Sequence, residues 1–241
     1  MVDESGASSV GAEVDGRLRD VGAELREAVD EIKPRLRGWL HAATLPLSLA
    51  AGIVLIALAP AGRPRIGAVV FMIASILLFG VSALYHTRSW SDRGRQVLKR
   101  MDHSTIFVFI AGTYTPFSLV LLDGRNARIL LSIVWGGALV GVLFRVLWVG
   151  APRWFYVPVY LALGWAAIFW MGQFAARGGT TVLTLLIVGG VLYSAGALVY
   201  ALQRPDPLPR WFGFHELFHS FTIAAFAVHY VGISLATYSL R

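Results

Sequence analysis

The stretch IGAVVFMIASILLFGVSALYH, Ile66 to His86, runs for twenty residues without a charge and ends on a histidine. A hydrocarbon core about 30 Å thick is crossed by about 20 apolar residues at 1.5 Å each, so this segment predicts a membrane-spanning helix. Six more stretches of that kind follow the same rule: Leu40–Ala59, Ser104–Leu122, Ile129–Val149, Trp154–Ala176, Thr181–Leu202 and Phe214–Leu240. Strands are excluded, because a lipid-facing span must satisfy its backbone internally and no segment alternates as a barrel strand does. The expected fold is all-α, a polytopic bundle of seven transmembrane helices, with Pro46, Pro116 and Pro158 inside spans as candidate kinks.

Composition agrees. Of 241 residues, 56% are hydrophobic and 15% charged, with mean hydropathy +0.65, too apolar for a soluble domain. The first thirty residues are charged and the first apolar run is long enough to span, which predicts no cleaved leader. With no cysteine there is no disulfide framework and no thiolate metal site, so a bound transition metal must use imidazole or carboxylate. The net charge of +7 comes from basic residues placed singly or in small groups beside apolar runs, where a bilayer explains them and no nucleic acid is needed.

The same residues set an orientation. Lys33, Arg35, Arg37, Arg88, Arg93, Arg95, Lys99, Arg100, Arg153, Arg204 and Arg210 fall on the side of the N-terminus, against Arg63, Arg65, Arg125, Arg128, Arg177 and Arg241 opposite. The excess predicts a cytoplasmic N-terminus and an outward C-terminus in the cell membrane. Arg145, four residues from the end of its span, is expected to snorkel to the interface. Residues 1–34 are read as a cytoplasmic tail, in which Val14, Leu18, Val21, Leu25, Val29 and Ile32 recur at helical spacing. This predicts an amphipathic surface helix, with a solvated charged tail as the alternative. Residues 35–241 are the membrane domain.

That topology brings four ionisable residues to one depth. His86 ends the second span with Ser82 one turn deeper, Asp102 opens the third, and His215 and His219 open the last. The two final histidines stand four apart, about 6 Å along one helix face, a spacing at which two imidazoles can share an ion. Three imidazoles and an open position filled by water describe a catalytic zinc site, whereas a structural site closes with four protein ligands. Asp102 suits either a fourth ligand or an outer carboxylate that moves protons, and Ser82 can hydrogen-bond within that shell. His41 and His103 are expected to be interfacial anchors. His229, about 15 Å beyond His219, is too far to share the ion, and a buried hydrogen bond is expected of it.

The motifs SALYH, MDH…GTYTPF (Met101–Phe117) and HELFH, with His229, PRLRGWLH from Pro34 and LGW from Leu163, resemble the hemolysin III family. That family lies within the progestin and adipoQ receptor superfamily, which includes the adiponectin receptors. The resemblance implies a seven-helix bundle with its N-terminus inside and a zinc ion near the inner leaflet, bound by His86, His215 and His219, with Asp102 and Ser82 in the outer shell. It also implies a membrane-lipid partner, since relatives are linked to hydrolysis of lipid amides such as ceramide, while the family name comes from haemolysis by pore formation. Two other readings stay open: a pore or receptor-like bundle stapled by structural zinc, and an intramembrane protease in which Glu216 completes HExxH.

Overall fold

The computed structural model describes residue 21, residue 34 and residues 36–148, 150–208 and 210–240. The tail helix expected over residues 14–32 lies outside the described residues but for Val21. Among the described residues the protein is helical and without strands, its one β-bridge joining Leu208 and Phe212 in a loop. The helices are α1 (Trp39–Leu58), α2 (Arg63–Thr87), α3 (Asp92–Leu121), α4 (Gly124–Leu147), α5 (Arg153–Gly164), α6 (Met171–Leu202) and α7 (Phe214–Tyr238). A 3-10 segment, Ala166–Trp170, joins α5 to α6. Among the described residues six stretches are long and apolar enough to cross a membrane: α1, α2, α3, α4, the 50 residues from Arg153 to Leu202, and α7. This is a multi-pass membrane protein.

Apolar length placed the spans, but local capping sets where the helices begin. Helix α3 starts twelve residues before the apolar run at Ser104, because the Ser91 hydroxyl accepts from the Gly94 amide and nucleates a polar first three turns. At the opposite end of the bundle, Asp123 caps α4 by accepting from the amides of Arg125 and Asn126. Those bonds favour the ionised form and hold the Asp123 carboxyl below its ordinary range.

Small residues let the helices approach closely, and their contacts fix direction. A Cβ on Gly67 would meet Pro116, and one on Gly112 would meet Ala74, so α2 and α3 are antiparallel in close contact. Gly52 against Met72 and Gly80 against Leu45 do the same for α1 and α2. Gly189 against His229 and Gly196 against Phe221 pair α6 with α7, again antiparallel. By contrast α1 and α7 run parallel, since Arg37 meets Glu216 and Ala51 meets Tyr230 at the same offset of 179 residues.

The stretch from Arg153 to Leu202 folds back on itself. Fifty helical residues would extend about 75 Å, more than twice the thickness of the hydrocarbon. Gly179 breaks the helix with φ 71° and ψ 175°, backbone angles open only to glycine. On either side the Tyr156 and Tyr200 hydroxyls stand 3.2 Å apart, and Trp165 Nε1 donates to Ser194 Oγ at 2.9 Å. Both pairs are nearly symmetric about residue 179, the signature of a helical hairpin.

Candidate metal centre

The antiparallel pairing of α2 with α3 and the parallel pairing of α1 with α7 bring four helix ends to one level. The start of α1 carries His41, the end of α2 carries His86, the first half of α3 carries Asp102, and the start of α7 carries His215 and His219. One donor atom from each of His86, His215 and His219 lies within 4.8 Å of the others. His86 Nε2 and His215 Nε2 are 3.3 Å apart. Two nitrogens held tetrahedrally at about 2.0–2.1 Å from zinc stand roughly 3.3–3.4 Å apart, so this edge already has the spacing of a coordination sphere. His219, 2% exposed, buries its Nδ1 without a hydrogen-bond partner among the described residues, as a ligand lacking its ion would. The donor set fits a divalent ion that accepts imidazole.

Asp102 Oδ2 lies 3.8 Å from His86 Nε2, and Ser82 is buried beside Asp102 in the cavity that His215 and His219 also line. Four of the five residues singled out in the sequence therefore line one cavity, and the fifth, His86, meets them through His215 and Asp102. Glu216 does not join them. Its Oε1 accepts from Arg37 Nε at 3.0 Å and its Oε2 from the Gly213 amide at 2.8 Å, which caps the first turn of α7. Both carboxylate oxygens of the HExxH glutamate thus serve the helix terminus and its ion pair with Arg37.

Three expectations are corrected. His41 is no interfacial anchor: it is 2% exposed, lines the cavity and stacks on His219 with ring centroids 3.8 Å apart. His103 faces inward too, its Nδ1 against Arg145 and its Nε2 3.4 Å from the Tyr200 hydroxyl. Arg145 does not snorkel. The α3–α4 register that sets Trp135 against Thr115 and Gly141 against Phe107 continues to Arg145 against His103, leaving the arginine 1% exposed. A span-by-span reading had no cross-helix register from which to foresee this. The one available signal was that Arg145 is the only charge between Arg128 and Arg153. His229 keeps the expected buried bond, with Nε2 3.1 Å from the Leu186 carbonyl.

Fold and site define a class, that of multi-pass helical membrane proteins with three histidines from two helices gathered at one end of the bundle. Residues 30–230 match the model of the family described as Haemolysin-III related, and the chain belongs to that family. It is 35% identical over 158 residues to the hemolysin-3 homolog of Bacillus subtilis (strain 168), covering 66% of this chain and 71% of that protein. With hemolysin-3 of Bacillus cereus the identity is 31% over 159 residues, covering 66% and 69%. An adiponectin receptor protein of Drosophila melanogaster is 30% identical over 192 aligned positions, which cover 68% of this chain and 41% of that longer protein.

Proposed function

We propose that this protein is a zinc-dependent hydrolase that cleaves an acyl amide or ester of a membrane lipid, working near the cytoplasmic face of a seven-span bundle in the cell membrane. The observation that carries the reading is the clustering of His86, His215 and His219 beside a cavity lined by Asp102, Ser82 and the last two of those histidines. What zinc supplies when bound is Lewis acidity towards an acyl carbonyl and a water acidified towards neutrality. His86, His215 and His219 would hold the ion through their imidazoles. Asp102 accepts a proton at Oδ2 and returns it to the leaving nitrogen or oxygen, and Ser82 steadies that carboxylate. The substrate reaches the cavity sideways from the bilayer.

Helix direction supports seven crossings. Helices α1 and α7 are parallel, which requires an even number of reversals between them. That number results when the stretch from Arg153 to Leu202 crosses twice, turning at Gly179, and fails when it crosses once. The excess of basic residues on the N-terminal side supports a cytoplasmic position for that end and for the histidines with it.

Structural zinc in a pore is the second reading, favoured by the way His86 and the α7 pair would lock two helices together. The protease reading loses its base, because Glu216 is tied to Arg37 and Gly213. The test is metal analysis of the detergent-purified full chain beside release of fatty acid from lipid amides and esters. About one zinc per chain in wild type, lost in His86→Ala and His215→Ala, with chelator-sensitive and zinc-restored hydrolysis, is the expected result. Equal metal in all three proteins rejects the shared site. Zinc without hydrolysis, together with leakage of liposomes, selects the pore.

A further inference from the structure

The cavity has a polar wall that the steps above leave unused. His103 and Tyr200 line it together with Asp102 and His219. Behind them stands Arg145, its guanidinium 4.4 Å from the centroid of the Tyr156 ring and in contact with His103 Nδ1. The Tyr160 hydroxyl donates to the His103 carbonyl at 3.0 Å, which fixes the backbone at that point. Four helices, α3 to α6, thus each contribute a polar side chain to one spot. Ionisable groups so deep in a bundle are costly, and their default explanation is function.

The wiring of this wall has a direction. A guanidinium has donors only and stays protonated, so at the Arg145 contact His103 Nδ1 must accept. The ring proton of neutral His103 therefore sits on Nε2, which becomes a donor. Nε2 lies 3.4 Å from the Tyr200 hydroxyl, beyond the usual 2.7–3.2 Å of an N–H···O bond. That hydroxyl has a nearer partner in Tyr156, at 3.2 Å. His103 Nε2–H is thus a weakly engaged donor on the cavity wall, next in sequence to the carboxylate of Asp102. Such a wall receives a hydrogen-bond acceptor.

We propose that His103 Nε2–H, held in that tautomer by Arg145, donates to the acyl oxygen of the substrate and stabilises the charge that oxygen gains during cleavage. His103 is then a catalytic residue and Arg145 a positioning residue. The assignment rests on the hydrolase reading and adds an oxygen-binding donor to it.

Two measurements test it on the full chain. In protein labelled with 15N-histidine and reconstituted in lipid nanodiscs, the His103 signals, identified by their loss in His103→Gln, should report a neutral ring protonated at Nε2. Arg145→Met should let the other tautomer appear, and Nδ1–H in the wild type overturns the proposal. Kinetics supply the second arm. In His103→Asn the amide stands where Nδ1 stood, so Arg145 keeps its partner and the cavity loses its donor. In His103→Gln the amide reaches the Nε2 position, so the donor survives and the Arg145 contact goes. A preorganised donor of this kind contributes about 10²–10³ in kcat, so His103→Asn should lose about a hundredfold in kcat at near-constant KM. His103→Gln should stay within about tenfold of wild type, and both variants should keep wild-type zinc. Equal losses in the two variants, or none, overturn the assignment and leave the hydrolase reading intact. A wild type that holds zinc but cleaves no acyl substrate overturns both.

Discussion

Helix α7 carries three histidines, and its two halves put them to different uses. In its first two turns His215 and His219 meet His86, with His41 stacked on His219, and both His41 nitrogens and His219 Nδ1 lack a hydrogen-bond partner among the described residues. Nearly three turns beyond His219, His229 bonds the Leu186 carbonyl through Nε2, and Gly189 of α6 lies so close that a Cβ there would come within 2.2 Å of the ring. One half is an open set of donors and the other a buried brace. The difference teaches that an imidazole inside a membrane is not a ligand by type: its neighbours decide, here another helix end against a backbone carbonyl.

The first half is held in place by residues 36–38, and breaking that hold tests the comparison most severely. Arg37 pairs with the fully buried Glu216, the Leu36 amide donates to the Trp211 carbonyl, and Gly38 packs on His86. Arg37→Met leaves the buried Glu216 carboxylate without its countercharge and with only the Gly213 amide as a partner, at an expected cost of about 3 kcal/mol. The last helix should loosen at its start, so thermal unfolding in detergent should fall together with zinc affinity measured against a competing chelator. Unaltered affinity would show that the paired histidines are held without this ion pair.

A smaller effect is expected from Gly38→Ala. Gly38 has φ +85°, and a Cβ there would stand 2.6 Å from that of His86. Left-handed backbone costs an L-residue about 1–2 kcal/mol before any clash is counted. The displaced end of α2 should weaken zinc binding with only a modest drop in melting temperature. The smallest change belongs to the other half of α7. His229→Leu removes one buried hydrogen bond, about 1 kcal/mol, and should leave zinc content untouched. Loss of zinc in that variant would erase the distinction between the halves.

Legibility in the sequence followed the range of the interaction. Spans were readable because hydrocarbon thickness sets their length, while helix bounds moved where a cap acted, as at Ser91, and where the 3-10 segment Ala166–Trp170 interrupts the expected span Trp154–Ala176. The level of His86, Asp102, His215 and His219 was readable too, since alternating crossings place helix ends without any knowledge of packing. His41, His103 and Arg145 were misread as interfacial for one reason. Depth says how far a residue lies from the headgroups, whereas facing inward depends on how each helix is rotated, and rotation is set by partners such as Gly141 on Phe107. Glu216 shows the same limit, because its identity suggested a catalytic base and only Arg37, 179 residues away, reveals the ion pair.

Sequence alone determined that this chain is a helical membrane protein, which family it resembles and at which depth its ionisable residues sit, because lipid imposes length and polarity locally. Tertiary structure alone decided which of those residues face one another, as His41 does His219, His103 does Arg145 and Glu216 does Arg37. Those outcomes depend on close contact between helices far apart in the chain, and the shape of a small residue against its neighbour is settled only when both are in place.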